Sequence, residues 1–115
     1  MVTRLEHVNT RSADVEKTRA FYEAFLGLRA GPRPAFQSTG YWMYLGDEPI
    51  LHLVQRPAGE PARPDSGNVD HVAFLGTDRS ALCVSLAAAG VPFRETSSQV
   101  FITDPDGLKI EINFR

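Results

Sequence analysis

The chain has 115 residues, 43% of them hydrophobic and 23% charged, with a formal net charge of -2. That is the size and balance of one compact globular domain, which buries a moderate share of its surface and gains from a partner subunit. No cluster of Lys and Arg forms the basic stripe of a nucleic-acid binder, and no apolar run approaches the ~20 residues of a membrane-spanning helix. Residues 1–9 lack the apolar centre of a secretion signal, and the single cysteine, Cys83, lies in the apolar run Ala81-Leu82-Cys83-Val84 and reads as a buried, inert thiol. These features point to the cytoplasm.

Leu5-Glu6-His7-Val8-Asn9 is predicted to be a strand. Ser12 or Asp14 then caps a helix, and Val15, Thr18, Tyr22, Phe25 and Leu26 recur at the spacing of one helical face. Gly27 supplies the left-handed stop. A short strand, Leu28 to Ala30, and a loop from Gly31 to Thr39 with two prolines follow. Tyr41 to Leu45 and Ile50 to Gln55 read as two strands around the turn Gly46-Asp47-Glu48-Pro49. Residues 57–67, rich in proline and glycine, read as a linker.

The order then repeats. Val69 to Phe74 is predicted to be a strand, and Asp78 caps a helix with Leu82, Leu86 and Ala89 on one face. Gly90 and Pro92 end that helix, and Phe93 to Glu95 forms a short strand. Gln99 to Thr103 and Leu108 to Phe114 flank the turn Asp104-Pro105-Asp106-Gly107. His7 and His71 stand 64 positions apart, as do Asp14 and Asp78. Repetition at a fixed period is the strongest organisational signal in a single sequence. The expected fold is therefore α+β, two βαβββ units in one domain over residues 1–115, unit one being 1–56 and unit two 68–115.

The chain has three histidines, His7, His52 and His71, each inside a predicted strand, and His7 and His71 occupy equivalent places in the repeat. Glu111 lies in the strand equivalent to that of His52. The first and last strand of each unit thus carries one potential ligand. A carboxylate on a sheet face needs water or a positive partner, and a divalent cation held by imidazole and carboxylate meets that need.

His7-Val8, the run from Phe21 to Leu28, Asp70-His71-Val72-Ala73-Phe74 and Asp104 to Glu111 resemble the vicinal oxygen chelate superfamily of glyoxalase I, fosfomycin-resistance proteins and extradiol dioxygenases. The resemblance spans essentially the whole chain. It implies two βαβββ units forming a cupped mixed sheet around one divalent metal (Fe, Ni, Zn, Mn or Co), with His7, His52, His71 and Glu111 as ligands. It also implies a homodimer with shared sites, in which His7 and His52 face His71 and Glu111 of a second copy. The activity implied is a glyoxalase-like isomerase or lyase step on a small substrate that offers two neighbouring oxygens, with Glu111 as general base.

The chain departs from glyoxalase I at His52, where that enzyme usually carries a glutamate. Two alternatives follow from the same resemblance: a ring-cleaving dioxygenase of extradiol type, and a non-enzymatic resistance protein that binds a drug or metabolite. Arg11 matches a glyoxalase arginine that contacts glutathione. Phe36, Trp42, Tyr44 and Phe101 are candidates to wall a substrate pocket. Arg33, on the loop after Gly31, is a candidate to meet an anionic group, and a solvated loop arginine is the preferred reading.

Overall fold

The computed structural model describes residues 1–60 and 67–115. The chain divides into two compact units, Met1–Pro61 and Ala62–Arg115. In the first, β1 (Val8–Ser12), α1 (Val15–Phe21), β2 (Arg29–Gly31), β3 (Gly40–Leu45) and β4 (Glu48–Gln55) follow in order. In the second, β5 (Val72–Gly76), α2 (Arg79–Ala88), β6 (Arg94–Glu95), β7 (Gln99–Thr103) and β8 (Lys109–Phe114) repeat the pattern. Each unit is βαβββ, so the fold is α+β as the sequence predicts. The sheet orders are β1-β4-β3-β2 and β5-β8-β7-β6. In both, the first strand pairs in parallel with the last and the other pairings are antiparallel.

The first unit packs α1 on one sheet face. Asp14 caps the helix, its side chain accepting a bond from the backbone N–H of Lys17, and Val15, Thr18 and Phe21 are buried beneath it with Met43, Leu51 and Leu53. The helix ends in a π-helical turn, Tyr22–Leu26, closed by Gly27 at φ 71°. That conformation is open to glycine at little steric cost. Gln55 ties β4 to the helix start, its Oε1 accepting from Val15 N at 3.0 Å.

The second unit buries Val100, Ile102, Ile110 and Ile112 on one sheet face and Leu86 on α2. The turn before β8 is held by Asp104, which is 4% exposed. Its Oδ1 accepts from the N–H groups of Asp106 and Leu108 at 2.8 and 2.9 Å. That is why the Asp-Pro-Asp-Gly run is so regular a turn: an aspartate side chain there mimics the backbone acceptor.

Several boundaries differ from those predicted. His7 and His71 stand immediately before β1 and β5, not inside them, because the parallel ladders begin at Val8 and Val72. The turn between β3 and β4 is only Gly46-Asp47, and Glu48 and Pro49 already belong to β4. Ala89 is the exposed C-cap of α2 and not part of its buried face. Cys83 is half-buried, not buried; burial and the Glu95 carboxylate at 3.4 Å push its thiol pKa up, which keeps it protonated and weakly nucleophilic. Of the predicted linker 57–67, Pro57 to Glu60 turns back on itself through Glu60 N to Pro57 O at 3.1 Å, and residues 61–66 lie outside those described. No helix among the described residues is long and apolar enough to cross a membrane.

Candidate functional site

Side chains alternate across a strand, so strand register decides which residues share a face. In the first unit Asn9, His52, Trp42 and Gly31 form one row across the sheet. The buried leucines Leu51 and Leu53 flank His52 on β4 and point to the opposite face, the one covered by α1. In the second unit the corresponding row is Ala73, Glu111, Phe101 and Arg94. His7 and His71 precede Asn9 and Ala73 by two positions and reach the same faces.

In the first unit the rings of His7 and His52 stack at 3.8 Å with an interplanar angle of 10°. Trp42 stacks on His52 at 4.3 Å and 11°. His52 is only 8% exposed. Burial first, and the neighbouring His7 second, hold its pKa below the usual imidazole range. That favours the neutral ring, the form able to donate a lone pair to a cation. One ring nitrogen, Nε2, lies 3.0 Å from the carbonyl oxygen of Pro49, which accepts its hydrogen and leaves Nδ1 as the lone-pair donor.

In the second unit His71 Nε2 stands 3.1 Å from Glu111 Oε2. The other Glu111 oxygen accepts from Gln99 Nε2 at 2.7 Å, and Gln99 also bonds Asn113 Oδ1 at 3.2 Å. Glu111 is therefore held by the Gln99 amide, with the His71 ring facing its other oxygen. Both first-strand histidines are oriented by the acid just before them in sequence. His7 Nδ1 meets Glu6 Oε1 at 3.0 Å, and His71 Nδ1 meets Asp70 Oδ1 at 2.8 Å. The bond from His71, and after it Lys109 at 3.3 Å, keep the Asp70 carboxyl below the ordinary carboxylate range. A carboxylate on Nδ1 fixes the tautomer and presents Nε2, the usual outer support of a metal-binding histidine.

The donor set, two imidazoles in one unit and an imidazole with a carboxylate in the other, fits a first-row divalent cation. Among the described residues no three His, Cys, Asp or Glu side chains are gathered at one point; each unit contributes a pair. For one ion to meet both His7 and His52, the stacked rings must tilt so that their in-plane lone pairs converge.

The remaining candidates fall in different places. Phe36 and Trp42 line a cavity of about 220 Å³ in the first unit, with Asn9, Arg33, Ser38 and His52 on its wall. Arg11 lies outside that wall and pairs with Glu60. Tyr44 donates its hydroxyl hydrogen to the Pro32 carbonyl and packs against Gly31, where a Cβ would come within 2.7 Å of its ring. Phe101 lies in the second unit beneath the Arg94 guanidinium at 4.2 Å.

Sequence reasoning missed Gln99 and misjudged the surroundings of Arg33. Gln99 was legible in principle, since it sits two positions before Phe101 and so on the same face. Arg33 is not a solvated loop residue. It is half-buried, its Nη1 and Nη2 bond Ser38 at 2.9 and 3.1 Å, and its Nε is buried with no acceptor. An unmet buried donor costs about 1–3 kcal/mol.

The chain matches the model of the Glyoxalase/Bleomycin resistance protein/Dioxygenase superfamily over residues 4–112. It belongs to that superfamily. Solved structures of the same fold include a trypanothione-dependent glyoxalase I from Leishmania major, at 21% identity and a TM-score of 0.79, covering 98% of this chain and 87% of that one. A mutant of the fosfomycin resistance protein FosX from Listeria monocytogenes, complexed with Mn(II) and 1S,2S-dihydroxypropylphosphonic acid, is 18% identical. Its TM-score is 0.75, and the match covers 98% of this chain and 93% of that one. A glyoxylase/bleomycin resistance protein/dioxygenase domain from Frankia sp. EAN1pec reaches a TM-score of 0.78 at 18% identity, covering 99% of this chain and 98% of that one. At these identities the structural likeness speaks for the fold alone. No curated protein matches the sequence.

Proposed function

We propose that this superfamily member is a glyoxalase-like, divalent-metal enzyme of isomerase or lyase type, acting on a small substrate through two neighbouring oxygens. The observation that carries this reading is the duplicated ligand pair. At corresponding places in the two units stand His7 with His52 and His71 with Glu111, and each first-strand histidine has its Nδ1 held by a preceding carboxylate. Structural histidines need no such repetition. The FosX relative was crystallised with Mn(II), which favours the same class of ion.

In this reading His7, His52, His71 and Glu111 hold the ion, which when bound supplies Lewis acidity to the substrate oxygens. Glu111 takes the proton from the carbon beside the substrate carbonyl. Gln99, bonded to Oε1, aims the carboxylate and leaves Oε2 facing His71. His52, kept neutral by burial, adds a ligand without adding charge. The reading further includes a single domain over residues 1–115, a symmetric homodimer in which the pairs of two copies complete each site, and a cytoplasmic location. Closed two-fold dimers are the commonest assembly, and a domain of this size benefits from one.

The test is metal content. Protein purified without chelator and then loaded with Fe, Ni, Zn, Mn or Co is compared with His71→Ala by elemental analysis. Wild type should retain close to one ion per site, and the variant should lose it with its circular dichroism unchanged. Equal, low metal in both would overturn the proposal and leave the binding-protein alternative. Oxygen uptake with catechols would instead favour the dioxygenase, and a monomer in sedimentation equilibrium would remove the shared site.

A further inference from the structure

The cavity walled by Phe36 and Trp42 contains a cation with no anion beside it among the described residues. Among the described residues Arg4, Arg11, Arg19, Arg79 and Lys109 pair with acids, whereas Arg94, over the Phe101 ring, does not. Arg33, on the cavity wall, has no acidic partner among the described residues. Its hydrogen bonds go to Ser38, a neutral group, and its Nε has none. The guanidinium is also fixed in place, lying 4.9 Å over the Phe36 ring. Gly40 holds the loop close: a Cβ there would run into the Leu53 carbonyl and come within 3.2 Å of Arg33.

The rest of the wall carries the rings of Phe36, Trp42 and His52 beside Asn9, Leu53 and Val54, and Phe36 is itself 53% exposed. Phe36 lies 6.2 Å from Trp42, and Trp42 is stacked on His52. A cavity of about 220 Å³ is smaller than drug-sized pockets. It suits a ligand of one ring or its conjugated equivalent.

We propose that this cavity is a subsite for a small, flat carboxylate anion, with its carboxylate on Arg33 and its conjugated body against Trp42 and Phe36. The Ser38 contacts hold the guanidinium in place. A carboxylate replaces them with charge-assisted, two-pronged bonds, which are stronger than bonds to a neutral oxygen. The aromatic walls select flat over branched acids of the same charge, because a ring stacks without leaving gaps. The subsite deepens the proposed function. It rests on that reading only for what the anion meets next: His52 shares the wall, so a bound acid presents its oxygens beside a candidate metal ligand.

Trp42 is the single tryptophan of the chain, so its fluorescence reports on this wall directly. Chelator-treated protein is titrated with benzoate and with benzamide, which has the same shape without the charge. Benzoate should alter the emission and bind about tenfold or more tighter than benzamide, a preference of the size one charged contact gives. Arg33→Gln should abolish the preference. Arg33→Lys should keep part of it, and Lys17→Gln, on the exposed side of α1, should keep all of it. Should Arg33→Gln lose its circular dichroism signal, Phe36→Ala replaces it and should weaken both ligands. No emission change with benzoate, equal binding of both compounds, or undiminished benzoate binding by Arg33→Gln would overturn the subsite. A second arm repeats the titration with 2-hydroxybenzoate on Mn-loaded protein. Benzoate binding without any gain from Mn there would sink the metal reading and leave the subsite standing.

Discussion

The two units share a frame and differ in what fills it. In each, the last strand lies between the first and the third, and one row of side chains crosses the sheet at equal register. In the first unit that row centres on stacked rings: His52, itself buried, lies between His7 and Trp42 and is driven toward its neutral form. In the second the row carries a carboxylate: Glu111 accepts from Gln99 and faces His71, with Asn113 behind. The connections differ in the same sense. Residues 32–39 make a long loop that walls a cavity, whereas only residues 96–98 join β6 to β7. Duplication kept the scaffold, and the surroundings made one unit a source of neutral nitrogen and the other a source of negative oxygen.

If the frames are equivalent, their cores should cost the same to damage. Leu53 and Ile112 occupy matching places on β4 and β8, at 0% and 5% exposure. Leu53→Ala and Ile112→Ala should each destabilise by about 2–5 kcal/mol, the range for a buried aliphatic cut to alanine. Urea denaturation measures both. A twofold difference between them would mean that one unit dominates the stability of the chain.

A second substitution makes the first unit imitate the second. His52→Glu restores the residue that the resemblance to glyoxalase I leads one to expect, but the pocket is built for a neutral ring. No glutamine waits for the new carboxylate, because the place of Gln99 is taken by Gly40, opposite Val54. The variant should lose about 1–3 kcal/mol at neutral pH, the cost of an unpaired buried polar group. Its carboxyl pKa should rise, so the deficit appears as pH climbs through the ordinary carboxylate value and shrinks in acid. Methylglyoxal–glutathione isomerase activity of the metal-loaded variant should be at least that of wild type, read as thioester formation. Strong wild-type activity that His52→Glu destroys would make His52 the required group and remove Glu111 as base.

The frame was legible because its signals are local. Asp14 and Asp78 cap helices, Gly27 and Gly90 take left-handed φ values of 71° and 68°, and Asp104 closes its own turn. Each depends on a few neighbouring residues. The filling was not legible, because it depends on register. That His52 falls beside Trp42 follows from a two-residue turn at Gly46-Asp47 together with a one-residue register shift between Met43 and Leu45, whereas a four-residue turn was expected. Arg33 read as solvated because nothing in Pro32-Arg33-Pro34 says that the loop folds back on Leu53. Ala89 continues the helical spacing of Leu82 and Leu86, yet as the C-cap it is exposed.

The units also tether their helices differently, and this gives the smallest effect. In the second unit Arg79 reaches from the start of α2 to Glu95, Thr96 and Ser97. In the first the tie is acid to phenol: Tyr41 on β3 donates to Glu16 on α1, and Glu16 also receives Arg19. The Tyr41 bond, and then the Arg19 bond, hold the Glu16 pKa below its ordinary value, and Glu16 in turn raises that of Tyr41. The signs define a window. Glu16 is depressed in the folded state, so its contribution is present above the unfolded carboxylate pKa and fades as pH falls through the folded value. Tyr41 is raised, so its contribution is present below the unfolded phenol pKa and fades as pH rises through the folded value. Tyr41→Phe should therefore be slightly less stable than wild type at neutral pH and equal to it at both extremes. Its Glu16 carboxyl resonance should titrate closer to an ordinary glutamate by NMR. Both groups are exposed and screened, so the loss is small. A Glu16 titration unchanged in Tyr41→Phe would assign the shift to Arg19 alone, and α1 would then have no polar tie to its sheet through this pair.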